Sequence, residues 1–151
     1  MITIEEFKKK QTSKTRLIGL DLGSKRIGVS ICDERQSIAT PFKTINRINT
    51  SNLVDEIKKI IKDNNIKGIV IGNPINMDGS SGSSAQSVKD ISINISKSID
   101  LPVFIWDERL STVGAFNLSS QLDVNISKKL KKIDENAAAF ILQGAIDYLN
   151  N

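Results

Sequence analysis

Four acidic residues of this chain stand where chemistry is possible. Asp21 lies inside an apolar run just before a glycine turn, Asp107 and Glu108 directly follow another apolar run, and Asp134 heads an amphipathic helical pattern. A lone Asp beside Gly often serves only the turn, because its short side chain bonds nearby backbone amides. The chain contains no histidine. That absence removes Ser-His and Cys-His nucleophiles, histidine proton shuttles and most zinc sites, so hydrolysis here has to run on carboxylates with a hard divalent ion such as magnesium or manganese. Three carboxylates packed together repel one another unless cations sit between them. Two ions about 4 Å apart, held by such acids, would generate hydroxide from water and stabilise the leaving oxygen of a phosphodiester. The competing reading has Asp21 and Glu108 each neutralised by a neighbouring guanidinium, with Arg26 and Arg109 close enough in sequence to serve.

The elements that must position these acids follow from periodicity. Residues 17–22 form a short apolar run suited to a buried strand, and after the turn Gly23-Ser24-Lys25 the residues Ile27, Val29 and Ile31 alternate with Arg26, Gly28 and Ser30, which makes a hairpin. A second turn at 33–36 leads to a third strand over 38–42, whose Pro41 suits a sheet edge. Leu53, Val54, Ile57, Ile60 and Ile61 recur at helical spacing, with acids early and lysines late as the helix dipole favours. Residues 67–74 read as a buried parallel-type strand, Val88, Ile91 and Ile95 mark another helix, residues 101–106 form a further strand, and a last helix covers 133–149. Three antiparallel strands followed by helix, strand, helix, strand, helix imply an α/β fold, a mixed sheet with helices on its faces.

Parallel strands present their carboxyl ends along one edge, where open α/β sheets place their sites, so Asp21 and the acids at 107–108 can converge. Positions 134, 138, 141, 145 and 148 share one helical stripe, which turns Asp134 toward the sheet. Asp134 as a simple N-cap stays open beside this, and Glu135 reads as an exposed acid near a helix start. The segment at 73–84, NPINMDGSSGSS, exceeds the usual connection length and ends at a helix N-terminus, where amides and hydroxyls can hold a phosphate. Asp78 there either binds metal or shapes the Met77-Asp78-Gly79 turn, and the turn is the preferred reading. The lysine-rich run at 127–132 leads into the last helix and suits a phosphate-backbone contact that weakens with salt, or is a solvated face.

The 151 residues suffice to bury roughly two thirds of the unfolded surface in one domain. Residues 1–15 read as a basic N-terminal extension, a mobile arm or short lead-in helix, ahead of a single domain over 16–151. The single Cys32 falls in a predicted strand and reads as a small buried hydrophobe in a reducing compartment. Lys and Arg exceed Asp and Glu by 21 to 17, which is compatible with a polyanionic partner. The N-terminal segment lacks an apolar stretch long enough for a signal peptide or membrane span, so the expected location is the cytoplasm.

GLDLGSKRIGVS (19–30), IVIGNPINMDGSSG (69–82), DERLST (107–112) and KKIDENAAAFIL (131–142) together resemble the YqgF family, Holliday-junction-resolvase-like nucleases associated with maturation of precursor 16S ribosomal RNA. The resemblance spans about 16–149 and implies an RNase H-like fold of sheet order 3-2-1-4-5, a two-metal nuclease site using Mg2+ or Mn2+, and action on precursor rRNA or branched nucleic acid. Matched position by position, Asp21, Glu108 and Asp134 would be the catalytic metal ligands, with Glu108 preferred to Asp107. Lys25, Arg26, Arg109, the loop residues Asn73, Asn76 and Asp78, and Lys131 and Lys132 would face the substrate. Asn73 departs from the family, which generally has an apolar residue there, and the basic lead-in is longer than usual. The resemblance also implies ribosomal assembly intermediates as partners, for a monomer or homodimer. Alternatives are a resolvase of four-way DNA junctions, an RNA-binding factor of ribosome assembly or transcription whose acids have lost metal, and an actin-like ATP-binding domain, which also carries DxG after a strand but needs two such domains.

Overall fold

The computed structural model describes residues 1–23, 25–47, 49–73, 83–107 and 126–151, and all their side chains except those of residues 50, 73, 83–85, 126–133 and 135. The elements, in chain order, are α1 (Ile4–Lys10), β1 (Leu17–Leu22), β2 (Arg26–Cys32), β3 (Ala39–Asn46), α2 (Thr50–Asn64), β4 (Gly68–Asn73), α3 (Ser83–Ser98), β5 (Val103–Asp107) and α4 (Ile126–Asn150). They form one five-stranded sheet of order β3-β2-β1-β4-β5. β1–β2 and β2–β3 pair antiparallel, whereas β1–β4 and β4–β5 pair parallel. Among the described residues no helix is long and apolar enough to cross a membrane.

Strand alternation divides the core into two layers. Ile18, Leu20, Leu22, Ile27, Val29, Ile69 and Ile71 face one way and pack with Leu53, Ile57 and Ile60 of α2 and Val88, Ile91 and Ile95 of α3. Leu17, Cys32, Val70, Phe104 and Trp106 face the other way, against Ile141, Leu142, Ala145, Ile146 and Leu149 of α4. β1 is covered on both faces, which is why its sequence is a nearly continuous apolar run. Cys32 is buried in the second layer, and its Sγ accepts a hydrogen bond from the Leu17 N–H at 3.2 Å. Burial pushes its thiol up from the usual range, so it behaves as an inert core residue.

The hairpin, the edge position of Pro41 and the helices stand as the pattern predicts, with two shifts. β3 continues to Asn46 past a bulge that offsets its pairing opposite Val29 and Ser30. α4 begins at Ile126, so residues 127–132 belong to its first turns rather than to a lead-in.

Of the two readings of the N-terminal segment, the short lead-in helix is the one seen, and it is docked on the domain. Thr3 caps α1 by accepting the Glu6 N–H at 3.1 Å, and Ile4 and Phe7 are buried on one face of its short span. The Phe7 and Phe104 ring centroids lie 5.0 Å apart. Residues 11–15 are tied down by buried Gln36, whose Nε2 donates to Gln11 Oε1 at 2.6 Å and to the Thr15 carbonyl at 2.8 Å. Two apolar residues three apart are too few to register as a periodic pattern, so the sequence showed only the lysines. Phe7→Ala is expected to cost about 3 kcal/mol in urea unfolding, the lower end for truncating a buried aromatic, and to expose α1 to early proteolysis.

The β2–β3 turn carries a pH-sensitive contact. Asp33 Oδ1 accepts the N–H of Ile38 at 3.0 Å and of Ser37 at 2.7 Å, and these bonds, Ile38 first, hold its carboxyl below the usual aspartate value. A depressed folded pKa stabilises at pH above the unfolded value and is lost as pH falls through the folded one, so the turn should loosen only below about pH 4. Carbon-detected NMR titration of the Asp33 carboxyl should place its midpoint below that of a free aspartate.

Candidate active site

Asp21 sits one residue from the end of β1, and its cross-strand partner on β2 is Gly28. Directly opposed residues of an antiparallel pair share a face. That face belongs to α4, because a Cβ built on Gly28 would lie 1.9 Å from the Asp134 carbonyl oxygen. Asp21 therefore faces the stretch of α4 that carries Asp134. One row further along, Ser30 Oγ donates to the Ala138 carbonyl at 2.7 Å, and a Cβ on Gly19 would meet Leu142 Cβ at 2.7 Å. Small residues at alternate positions of β1 and β2 thus let α4 lie directly on the sheet.

Asp134 lies more than two turns inside α4, which excludes the N-cap reading, and Glu135 is equally remote from the positive helix end. Its stripe is as the spacing predicts, with Ala138, Ile141 and Ala145 buried beyond it. The Asp134 side chain is 21% exposed, and its Oδ2 accepts Arg26 Nε at 2.6 Å. The competing reading sets Arg26 on Asp21 and Arg109 on Glu108; Arg26 instead binds Asp134, the acid of the last helix, and residues 108 and 109 lie outside the described residues.

The strand ends align as the site requires. Leu20 is level with Ile71 on β4, and Asn73 is level with Asp107 on β5, so the carboxyl ends of β4 and β5 lie at the sheet edge that carries Asp21. Asp107 shares its parity with Val103 of the α2–α3 layer and alternates with Phe104 and Trp106 of the α4 layer. Asp107 is thus turned away from the face that holds Asp21 and Asp134.

The β1–β2 turn has a clamp that the sequence did not reveal. Gly23 N–H donates to the Arg26 carbonyl at 3.0 Å, Arg47 N–H to the Lys25 carbonyl at 3.0 Å, and the Arg47 guanidinium to the Gly23 carbonyl at 3.2 Å. Arg47 reaches the turn because β2–β3 register pairs Arg26 with Asn46. Only the strand register carries that signal.

Of the predicted site residues, the fold brings Asp21, Arg26 and Asp134 to one face, and Lys25 is exposed at its rim. Asn73 ends β4, and Lys131 and Lys132 lie within α4, but their side chains fall outside the description. Asn76, Asp78, Glu108 and Arg109 lie outside the described residues. Among the described residues no group of three or more acids, cysteines or histidines is assembled for a metal. The pair present supplies hard carboxylate oxygens, the donor type that suits magnesium, manganese or calcium rather than zinc or copper.

The fold and this edge define the class. The chain superposes on the yeast mitochondrial Holliday junction resolvase Ydc2 with a TM-score of 0.55 at 11% identity, covering 97% of this chain and 84% of that one. It superposes on Thermus thermophilus RuvC, solved with a Holliday junction substrate, with a TM-score of 0.51 at 9% identity, covering 89% and 94%. This is the RNase H-like architecture of the resolvases. The family model described as RuvX, Holliday junction resolvase, matches residues 15–148, and the chain belongs to that family. A relative from Pelagibacter ubique is 79% identical over 151 residues, covering all of both chains, and one from Rhodobacter capsulatus is 44% identical over 133 residues, covering 88% and 84%. Both are named as candidate pre-16S rRNA nucleases. Membership makes the chain a nuclease, and resolvase-like nucleases generally use divalent metal ions.

Proposed function

We propose that this chain is a metal-dependent nuclease that hydrolyses phosphodiester bonds of precursor 16S rRNA during 5′-end maturation, in the cytoplasm and on ribosomal assembly intermediates. The observation that carries the reading is the convergence of Asp21 and Asp134, from the first strand and the last helix, on one face through the glycine at position 28. Asp21, Asp134 and Glu108 would hold the cation. Glu108 is chosen over Asp107 because Asp107 has the parity of the opposite layer. When bound, Mg2+ or Mn2+ supplies Lewis acidity at the phosphodiester and a water of lowered pKa. The residues themselves bind and orient: rigid β1 fixes Asp21, α4 fixes Asp134, and Lys25 with the Arg47-clamped turn borders the approach. Arg109, Asn73, Asn76, Asp78, Lys131 and Lys132 are the proposed substrate contacts.

The relatives' names support RNA as substrate. The test is cleavage by the purified chain, with Mg2+ and with Mn2+, of a precursor fragment spanning the 5′ end of 16S rRNA and of a four-way DNA junction. Metal-dependent cut of the RNA is the expected result. Cut of the junction alone would make the chain a DNA resolvase, and no cut of either with intact RNA binding would make it an assembly factor.

A further inference from the structure

The Arg26–Asp134 pair is not needed to seat α4. The helix is already fixed by backbone approach at Gly28, by the Ser30–Ala138 hydrogen bond and by the apolar layer beyond. The pair itself is partly exposed, 34% at Arg26 and 21% at Asp134, so water screens it and its contribution to folding is small. Its position explains it better. Arg26 lies two residues before Gly28 on the same strand face and reaches Asp134 from the edge where Asp21 and the strand ends β4 and β5 stand. Through Nε, Arg26 places a single positive charge on Asp134 Oδ2.

We propose that Arg26 is the resident counter-ion of Asp134 in the metal-free protein, leaves that carboxylate when a divalent cation binds, and so becomes free to hold a substrate phosphate. The inference rests on the metal-site reading of Asp21 and Asp134. A doubly charged hard cation held by Asp21 and Asp134 would carry more charge to the Asp134 carboxylate than one guanidinium held at one oxygen. A released guanidinium matches phosphate oxygens with its planar fork, which the Asp134 contact through Nε leaves largely unused. The exchange keeps Asp134 compensated in both states. It also couples exposure of the phosphate-binding group to occupancy of the metal site.

The test follows the Arg26 Nε–Hε signal and the Asp21 amide by NMR while Mg2+ alone is added to the full chain. The expected result is that both move with one midpoint, the Arg26 signal losing its hydrogen-bonded shift. An Asp21 shift with the Arg26 signal unmoved overturns the exchange and leaves the metal site standing. No shift at Asp21 overturns the metal-site reading and the exchange with it. Calorimetry gives a second measure: Arg26→Gln should bind Mg2+ more tightly than wild type, by roughly fivefold, the upper end for a screened ion pair. Equal or weaker binding by a folded Arg26→Gln overturns the proposal.

Discussion

Asp21→Asn is expected to lower single-turnover cleavage of the RNA substrate by about a thousandfold, several kcal/mol of lost transition-state stabilisation at roughly 1.4 kcal/mol per tenfold. RNA binding stays near the wild-type value. Asn keeps the shape of Asp and leaves β1 and its pairing with Gly28 intact, but it removes the negative charge that faces α4. Lys25 at this rim and the other proposed phosphate contacts are untouched, so most of the phosphate attraction persists even with Arg26 still held by Asp134. Cleavage within about tenfold of wild type would remove Asp21 from the chemistry.

Gly28→Ala is expected to be strongly destabilising. The added Cβ would fall 1.9 Å from the Asp134 carbonyl oxygen and 2.5 Å from its carbonyl carbon. Both are backbone atoms, so no rotamer change relieves the clash. α4 would have to lift from the sheet while Ser30 and Leu142 hold it in the next row. Overpacking generally costs 1–3 kcal/mol, and a backbone-to-backbone clash belongs at or above the top, about 3 kcal/mol in urea unfolding. Where the variant stays folded, cleavage should fall as well, because the displaced residue is Asp134. Gly144→Ala is the comparison: its Cβ meets the Trp106 ring at 2.8 Å, a side chain able to give, and the loss should be smaller and leave Asp134 in place. An unchanged midpoint for Gly28→Ala would mean that α4 does not approach β2 this closely.

The two faces of the sheet explain how far the sequence could be read. Alternation in 26–32 and helical spacing in 50–64 are local properties, enforced by burial of one side of each element, so these elements stand where the pattern put them. The phase of Asp134 was legible for the same reason. Its neighbour in space was not: Arg26 lies 108 positions away along the chain, and nothing local favours Asp134 over Asp21 as its partner. Docking of α1 rests on Ile4 and Phe7 alone, and the Arg47 clamp arises from strand register.

By itself the sequence determined the order and type of the elements from β1 onward, a chemistry without histidine, and the strand end and helix stripe on which Asp21 and Asp134 sit. Only the tertiary structure decided that these acids share one face, that a glycine is what lets the last helix come so near, that Asp107 is turned away, and that Arg26 is held by Asp134. The reason is that periodicity fixes which side of an element is buried, whereas the neighbour across a layer depends on register and helix placement, which are settled when distant segments pack.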